Sequence, residues 1–196
     1  MFLAYSMMQI ADLSEEAYRR CLEGMPPSRR AQVERLHFPD DRRRTVAGEC
    51  LARRMIARYC GLPPAEILFA RTDKNKPFAV GLPVHFSVSH SGAWALCALS
   101  NRPVGADIEK IRPVRPALIR RVCTPDELAF VHDAADSGEA ERRFFRVWTG
   151  KEAFFKREGT GITSLQSISV LDETVRRNLI FFCAGDYAVS LLYTSD

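Results

Sequence analysis

Acidic side chains at two places in the chain have the types and spacing of a divalent-metal site. Asp107 and Glu109 are separated by one residue in the strand-like run VGADIEK, so both project from the same face of a strand. Glu152 lies in WTGKEAFFKREGTG, a segment with helical periodicity. Three carboxylates that converge from a strand and a helix offer the hard oxygen ligands that Mg²⁺ prefers. The sequence therefore predicts a Mg²⁺ site formed by Asp107, Glu109 and Glu152.

The helix that carries Glu152 is expected to bury charge. At about 100° per residue, Phe145, Trp148 and Phe155 form one stripe, and Glu152 and Lys156 share its side. An unpaired buried carboxylate is costly, so Glu152 requires cationic neighbours. The alternatives are a surface ion pair between Glu152 and Lys156, four residues apart on a helix, and an Asp-x-Glu pair on the solvated face of a strand. The aromatic stripe favours the buried site.

Hydroxyl and imidazole groups are clustered in the run FSVSHSG. With the amides of a predicted turn at His90-Ser91-Gly92, they could bind a phosphate or an oxyanion. A nucleophile pair formed by Ser89 and His90 is the alternative, but adjacent side chains in a strand alternate in direction and no orienting acid is evident. The chain contains neither the P-loop nor the G-x-G-x-x-G pattern of common nucleotide sites.

Arginine is concentrated in the N-terminal half. Residues 19–58 hold eleven arginines, no lysine and five acids, a net charge of +6. A solvated helical face, a phosphate-bearing ligand, a nucleic acid or an acidic protein partner would each account for this charge. Arg44 shares a predicted helix face with Gly48, which suggests close approach of an anion, although Arg44 could also extend into water. Nucleic-acid binding is disfavoured because interleaved aromatics and a binding motif are missing.

The elements that must position these residues predict an α+β fold. We expect two similar subdomains, each a long helix packed on a small antiparallel sheet, related by a pseudo-two-fold axis. The predicted order in each half is a helix followed by three strand-like runs: 40–60 before 66–99, and 139–157 before 167–171, 179–183 and 187–193. The halves are expected to span 1–100 and 101–196.

Helix ends are indicated by capping residues. Ser14 is expected to open a first helix at 14–22, and Asp40 or Asp41 to cap the helix that ends at Gly61. Thr124 with Glu127 forms a predicted capping box.

Composition points to a globular cytoplasmic protein. Hydrophobic residues make up 46% and charged residues 27% of the chain, and no run approaches the roughly 18 apolar residues of a membrane span. The first residues, MFLAYSMMQI, lack the features of a signal peptide. Six scattered cysteines without a C-x-x-C pair are typical of reduced thiols.

Three motifs together resemble a known family. FSVSHSG, VGADIEK and WTGKEAFFKREGTGI, in this order and at these intervals, resemble the 4′-phosphopantetheinyl transferases of the pseudo-dimeric, surfactin-synthetase-associated type. That family carries (V/I)G(I/V)D(I/V)E and W-x-x-K-E-(A/S)-x-x-K. The resemblance extends more weakly over PPSRRAQVERLHFPDDRRRTVAGECLARRMI and TDKNKP, so it covers most of the chain. It implies transfer of phosphopantetheine from coenzyme A to a serine of an apo acyl or peptidyl carrier protein, with release of 3′,5′-ADP.

The resemblance also implies residue roles. Asp107, Glu109 and Glu152 would bind Mg²⁺ with the pyrophosphate. Glu152 would take the proton of the incoming serine, directly or through a metal-bound water, and Lys156 would neutralise the phosphate and the leaving group. Contacts to coenzyme A would come from Arg29, Arg44, Thr45, Lys76, Ser89, His90, Lys151 and Lys156. The half 1–100 would then hold the nucleotide and 101–196 the metal and catalytic residues.

Two positions depart from the family pattern. Gln32 stands where many relatives have a lysine, which would weaken binding of the 3′-phosphate, and Asn75 stands where a glycine is usual. A non-catalytic coenzyme A- or carrier-binding module is therefore the alternative function. A monomer suffices for one cleft between two halves, and residues 111–136 are expected to help select a fatty-acid, polyketide or peptide-synthesis carrier.

Overall fold

The computed structural model describes residues 2–162 and 164–194, which form helices packed on small antiparallel sheets. The strands are β1 (Leu3–Gln9), β2 (Phe69–Arg71), β3 (Pro77–Ala79), β4 (His85–Ser91), β5 (Trp94–Ser100), β6 (Val104–Lys110), β7 (Leu179–Ala184) and β8 (Tyr187–Tyr193). The helices are α1 (Glu15–Glu23), α2 (Pro27–Glu34), α3 (Pro39–Cys60), α4 (Pro116–Val122), α5 (Pro125–His132), α6 (Ser137–Glu158) and α7 (Glu173–Arg176). Within these described residues, no helix combines the length and the hydropathy needed to cross a bilayer.

The first large sheet has the order β1-β5-β4 and is covered by α3. Leu51 and Ile56 of α3 are buried against Phe86 and Leu99, which face each other across β4 and β5. Gly48 allows this close packing, since a Cβ at that position would lie 2.6 Å from Val88 Cγ1. The glycine thus brings a strand close to the helix, and the expected approach of an anion is not needed to explain it.

The second large sheet has the order β6-β8-β7 and is covered by α6. All three strands are antiparallel, with Asp107 of β6 opposite Ser190 of β8. Thr149 of α6 shares a hydrogen bond of 2.7 Å with the Ser190 hydroxyl, so polar contacts as well as apolar ones fix the helix on the sheet. The small antiparallel sheets and long covering helices confirm the expected mixed architecture.

Three serines of β4 connect the two large sheets, and we call them the serine ladder. The hydroxyls of Ser87, Ser89 and Ser91 all reach across to β6. Ser87 Oγ accepts from the amide of Ala106 at 3.0 Å, and Ser91 Oγ accepts from the amide of Lys110 at 3.1 Å. Side-chain hydrogen bonds therefore fix β6 beside β4, although the two strands belong to different sheets.

Helix capping agrees with the sequence at three of four positions, and one of these is Gly61, the C-cap of α3. The Ser14 hydroxyl accepts from the amide of Ala17 at 3.2 Å, and Thr124 and Glu127 form the expected capping box. The expectation that Asp40 or Asp41 caps α3 is wrong, because α3 begins at Pro39 and its N-cap is Phe38. Proline suits the first helical turn, where its missing amide has no intrahelical partner to lose.

Three other local predictions are corrected. His90 and Ser91 are the last residues of β4 and not its turn, which lies at residues 92–93. Residues 167–171 do not form a strand, because Leu165–Ser167 is a short 3₁₀ turn and the amide of Val170 donates to Glu127. In the 66–71 run only Phe69–Arg71 is a strand.

Candidate active site

A cleft of about 650 Å³ is lined by residues from both halves of the chain. One end is lined by the three predicted metal-binding acids, Asp107, Glu109 and Glu152, together with Lys156. Charged and polar side chains from the first half, including Arg29 and Thr45, line the other end. The cleft therefore joins an acidic end to a basic end.

Asp107 is the most buried of the three acids, with 3% of its surface exposed. Its Oδ1 accepts from the Ser89 hydroxyl and from Lys156 Nζ, both at 2.6 Å. Its Oδ2 is also buried and has no hydrogen-bond partner among the described residues. A buried carboxylate oxygen without a partner is costly, so this atom is suited to binding a cation.

Lys156 lies on α6, on the same side of the helix as Glu152. Its Nζ donates to Ser89 Oγ at 3.0 Å as well as to Asp107, and its side chain is 31% exposed at the cleft. Glu152 lies one turn earlier on α6 and is half-buried. The periodicity argument therefore predicted the correct side of the helix for both residues.

Burial and the charge of Asp107 raise the pKa values of the other two acids, Glu152 and Glu109. Burial, followed by the charge of Asp107, raises the pKa of Glu152 to about 7, although Lys156 lowers it. Burial and Asp107 also raise the pKa of Glu109, against a hydrogen bond of 2.9 Å from the Ser91 hydroxyl. The acidic end therefore holds more negative charge than Lys156 neutralises, and oxygen donors with excess charge fit Mg²⁺. Within residues 2–162 and 164–194, no three acidic, histidine or cysteine side chains are already arranged as the ligands of one metal ion.

The basic end contains Arg29, Gln32 and Glu49. Arg29 Nε pairs with Glu49 Oε2 at 3.3 Å, and its Nη1 donates to Gln32 Oε1 at 3.4 Å. Glu49 also pairs with the buried Arg53 at 3.1 Å, so two arginines share one carboxylate. A positive charge of this pair therefore remains available at the cleft for an anionic group.

His90 also lines the cleft. Burial lowers its pKa first, and the nearby charge of Lys156 lowers it further. A neutral imidazole can both donate and accept a hydrogen bond. His90 therefore has the chemistry to orient a phosphate that Lys156 neutralises.

Lys151 lies in the interior and not at the cleft. It is fully buried, and its Nζ pairs with the fully buried Glu127 at 2.6 Å. The same nitrogen donates to the carbonyls of Val122 at 3.0 Å and Leu165 at 2.6 Å. All three of its donors are thus used inside the protein, which corrects the expectation that Lys151 contacts coenzyme A.

Arg44 and Lys76 lie beside the main cleft. Arg44 pairs with Asp41 at 2.6 Å and donates to the Gly92 carbonyl at 3.3 Å. Lys76 Nζ donates to the Arg157 carbonyl at 2.8 Å and lines a smaller pocket of about 230 Å³ that also reaches Glu152. Neither residue is among those that line the main cleft.

Sequence reasoning missed two residues that shape the site. Ser91 holds Glu109, and Glu49 joins the arginines of the basic end. The period-two spacing of the serines in FSVSHSG was the available signal for Ser91. For Glu49, the signal was its spacing of four residues from Arg53 on a helix.

Comparison with known proteins agrees with these motifs. A model of the 4′-phosphopantetheinyl transferase superfamily matches residues 103–196, and an N-terminal 4′-phosphopantetheinyl transferase model matches residues 12–102. The chain is 34% identical over 168 residues to 4′-phosphopantetheinyl transferase Sfp of Bacillus subtilis, covering 85% of this chain and 75% of the relative. It is 37% identical over 162 residues to 4′-phosphopantetheinyl transferase psf-1 of Bacillus pumilus, covering 80% and 69%. The identity to 4′-phosphopantetheinyl transferase HetI of a Nostoc species is 34% over 148 residues, covering 71% and 62%. The chain therefore belongs to the 4′-phosphopantetheinyl transferase superfamily.

Proposed function

We propose that this protein transfers the 4′-phosphopantetheine group of coenzyme A to a serine hydroxyl of an apo acyl or peptidyl carrier protein, releasing 3′,5′-ADP. Family membership supports the reaction type. The observation that carries the proposal is the buried Asp107 carboxylate, which has one oxygen held by Lys156 and the other without a partner, at the end of a cleft. Such a site suits a diphosphate that arrives with a divalent cation.

Asp107, Glu109 and Glu152 are the residues that would hold Mg²⁺. A bound Mg²⁺ would stabilise the negative charge on the diphosphate while its linkage is broken and 3′,5′-ADP leaves. The protein contributes positioning and fixed charge, which dominate in phosphoryl-type transfer because little covalent chemistry is asked of it. The serine ladder holds two of these acids in place before any ligand binds.

Glu152 is the proposed general base. A general base must lie within hydrogen-bond reach of the proton that it removes. The carboxylate is half-buried at the cleft, where an incoming hydroxyl can reach it. Glu152 would accept the serine proton as the serine oxygen attacks the phosphate.

The nucleotide would lie towards the basic end. Lys156 and His90 would contact the diphosphate, and Ser89 would hold both Lys156 and Asp107 in register. Arg29 and Thr45 would contact the phosphate on the ribose. Lys76 and Arg44, which lie beside the cleft, would make further contacts with coenzyme A. In this assignment residues 1–100 bind the nucleotide, 101–196 carry the metal and catalytic groups, and the two halves are related by a pseudo-two-fold axis in a cytoplasmic monomer.

Intact-mass spectrometry of the carrier tests the proposal. Incubation of the protein with coenzyme A, Mg²⁺ and an apo carrier should add about 340 Da, the mass of the phosphopantetheinyl group. Glu152→Gln should abolish the addition and leave coenzyme A binding within about twofold. The exposed Glu173 pairs with Arg176 on α7, so Glu173→Gln serves as the control and should be fully active. Absence of the mass shift with fatty-acid, polyketide and peptide-synthesis carriers would contradict the proposal.

A non-catalytic coenzyme A- or carrier-binding module is the second candidate. Gln32 at the basic end favours it, because a neutral side chain stands beside Arg29. The same Glu152→Gln variant separates the candidates. If the wild-type protein binds coenzyme A, yields no modified carrier and is unchanged by the substitution, the module is the correct assignment.

A further inference from the structure

Lys156 occupies a position inside the acid cluster that a counter-ion would take. Its Nζ lies 2.6 Å from Asp107 Oδ1 and 3.0 Å from Ser89 Oγ. Ser89 in turn donates to the same Asp107 oxygen at 2.6 Å. Lysine, carboxylate and hydroxyl thus form a closed triangle in which two of the three ammonium protons are used.

The local charges explain why the ammonium is held there. Asp107, Glu109 and Glu152 place three carboxylates at one end of the cleft, and the charge of Asp107 disfavours the ionised forms of the other two. Asp107 is 3% exposed, so its charge cannot be stabilised by solvent. A buried carboxylate without a cationic partner is strongly destabilising. Lys156 is the cation that the structure places against it.

We propose that Lys156 is the counter-charge of the metal-free site, and that a divalent cation bound by the acids displaces it from Asp107. The displaced ammonium then contacts the diphosphate of coenzyme A, so cation binding and readiness to bind the diphosphate are coupled. This inference rests on the proposed function, because it assumes that the acids take a divalent cation. No covalent step is involved: one ion pair is exchanged for another.

Removal of Lys156 distinguishes a lysine that only binds phosphate from one that competes with the cation. A lysine that serves only the phosphate would leave cation affinity unchanged when it is removed. A lysine that competes with the cation lowers cation affinity, and its removal should therefore raise that affinity. The variant without the lysine should also gain more stability from the cation, because a ligand at concentration L stabilises the folded state by RT ln(1 + L/Kd), which increases as Kd falls.

The experiment compares wild-type protein with Lys156→Met, without coenzyme A or carrier. Thermal unfolding is recorded in a chelator and over a series of MgCl₂ or MnCl₂ concentrations, and cation affinity is measured by calorimetry. We expect Lys156→Met to unfold at a lower temperature than wild type in the chelator. The cation should raise the unfolding temperature of the variant at least twice as much as that of wild type. The variant should also bind the cation about tenfold more tightly. Lys156→Arg keeps the competing charge and should behave as the wild type.

Lys76→Met is the matched control. Lys76 also lies near Glu152, but its Nζ donates to the Arg157 carbonyl and not to a carboxylate, so cation affinity should not change. Equal or weaker cation binding by Lys156→Met overturns the inference, as does tighter binding by Lys156→Arg. If Lys156→Met does not fold in the chelator but folds when the cation is added, the inference is supported, because the cation then replaces the missing charge. If it folds in neither, Lys156→Gln replaces it in the comparison.

The carrier assay separates failure of this inference from failure of the proposed function. Wild-type protein that modifies a carrier while Lys156→Met shows unchanged cation affinity keeps the function and loses the inference. Wild-type protein that modifies no carrier and binds neither cation loses both.

Discussion

A Cβ on Gly105 would lie 1.8 Å from the carbonyl oxygen of Ala153, so strand β6 and helix α6 touch through their backbones at this point. The contact brings the helix turn of Glu152 next to the strand that carries Asp107, two residues beyond the glycine. Asp107 raises the pKa of Glu152 because this contact brings the two acids close together.

Gly105→Ala should therefore damage both stability and the site. We expect a loss of about 3 kcal/mol or more in the free energy of unfolding, because backbone atoms cannot move aside as a flexible side chain can. Urea unfolding measures it. In Gly138→Ala, the new Cβ meets only side-chain atoms at 3.3 Å or more, in the first turn of α6, and the change should stay within about 1 kcal/mol of wild type. Equal effects of the two substitutions would contradict the prediction.

The stability of the metal-free protein should depend on Glu152 and pH. The pKa of Glu152 in the folded state is about 7, above the ordinary value of 4.5. The folded state therefore binds the Glu152 proton more tightly than the unfolded chain does. The free energy of unfolding should therefore fall as pH rises from about 4.5 to about 7 and stay lower above that range. Glu152→Gln removes this loss.

Denaturant unfolding in a chelator tests the pH dependence. Glu152→Gln should match wild type near pH 5 and exceed it by about 1–2 kcal/mol at pH 8, less than the full pKa shift implies because the carboxylate is partly open to the cleft. The exposed-site variant Glu173→Gln should show no such trend. A wild-type protein that is the more stable of the two at pH 8 would show that the carboxylate is not penalised there.

The buried pair of Lys151 and Glu127 should matter for folding and not for coenzyme A. Lys151→Met leaves a fully buried carboxylate without its cation, which typically costs about 3–5 kcal/mol. Glu127→Gln combined with Lys151→Met should recover part of this loss, since no unpaired charge remains. Coenzyme A affinity measured on folded Lys151→Met at low temperature should equal that of wild type. A large loss of affinity would restore the role in coenzyme A binding that the structure argues against.

Cys50 should be unusually reactive. The neighbouring Cys21 thiol, followed in effect by the charges of Arg54 and Arg53, lowers the pKa of Cys50 to about 7. The thiolate is the reactive form, so iodoacetamide should label Cys50 several times faster than the similarly half-buried Cys60 at pH 7, as read by peptide mass spectrometry. Cys21→Ala removes the neighbouring thiol and should slow the labelling of Cys50. Equal rates in the two proteins would exclude this cause.

Gln32 should limit affinity for one phosphate of coenzyme A. Gln32→Lys places an ammonium beside Arg29 at the basic end and should tighten coenzyme A binding about fivefold, equivalent to about 1 kcal/mol for a partly solvated ion pair. Binding of 3′-dephospho-coenzyme A should not change, and Gln32→Met should improve neither. Calorimetry with both ligands measures the difference. An equal gain for the two ligands would place the 3′-phosphate elsewhere.

Periodicity predicted the side of each element, while partners from distant parts of the chain could not be predicted. Lys151 and Lys156 are five residues apart on one helix, about 140° around its axis, so they had to face different surroundings. Lys156 was correctly placed with Glu152. The partner of Lys151 is Glu127, on another helix, and nothing in the local sequence connects the two.

The same distinction holds for the strands. The sequence predicted the strand that bears Asp107 and Glu109, and the alternation of serines in β4 was visible in FSVSHSG. Which strand those serines would face depends on how two sheets meet, and no local pattern encodes that contact. The strand predicted at 167–171 failed for a related reason, because the buried Glu127 carboxylate takes the amide of Val170 that a strand neighbour would have used.

The serine ladder makes the active site depend on both large sheets. Asp107 and Glu109 belong to one sheet, and the hydroxyls that align them, Ser89 and Ser91, belong to the other. A substitution that removes these hydrogen bonds between β4 and β6 can abolish activity while each sheet and its covering helix stay folded. Inactive variants of this protein need not be misfolded ones, and a folded spectrum alone would fail to reveal the damage.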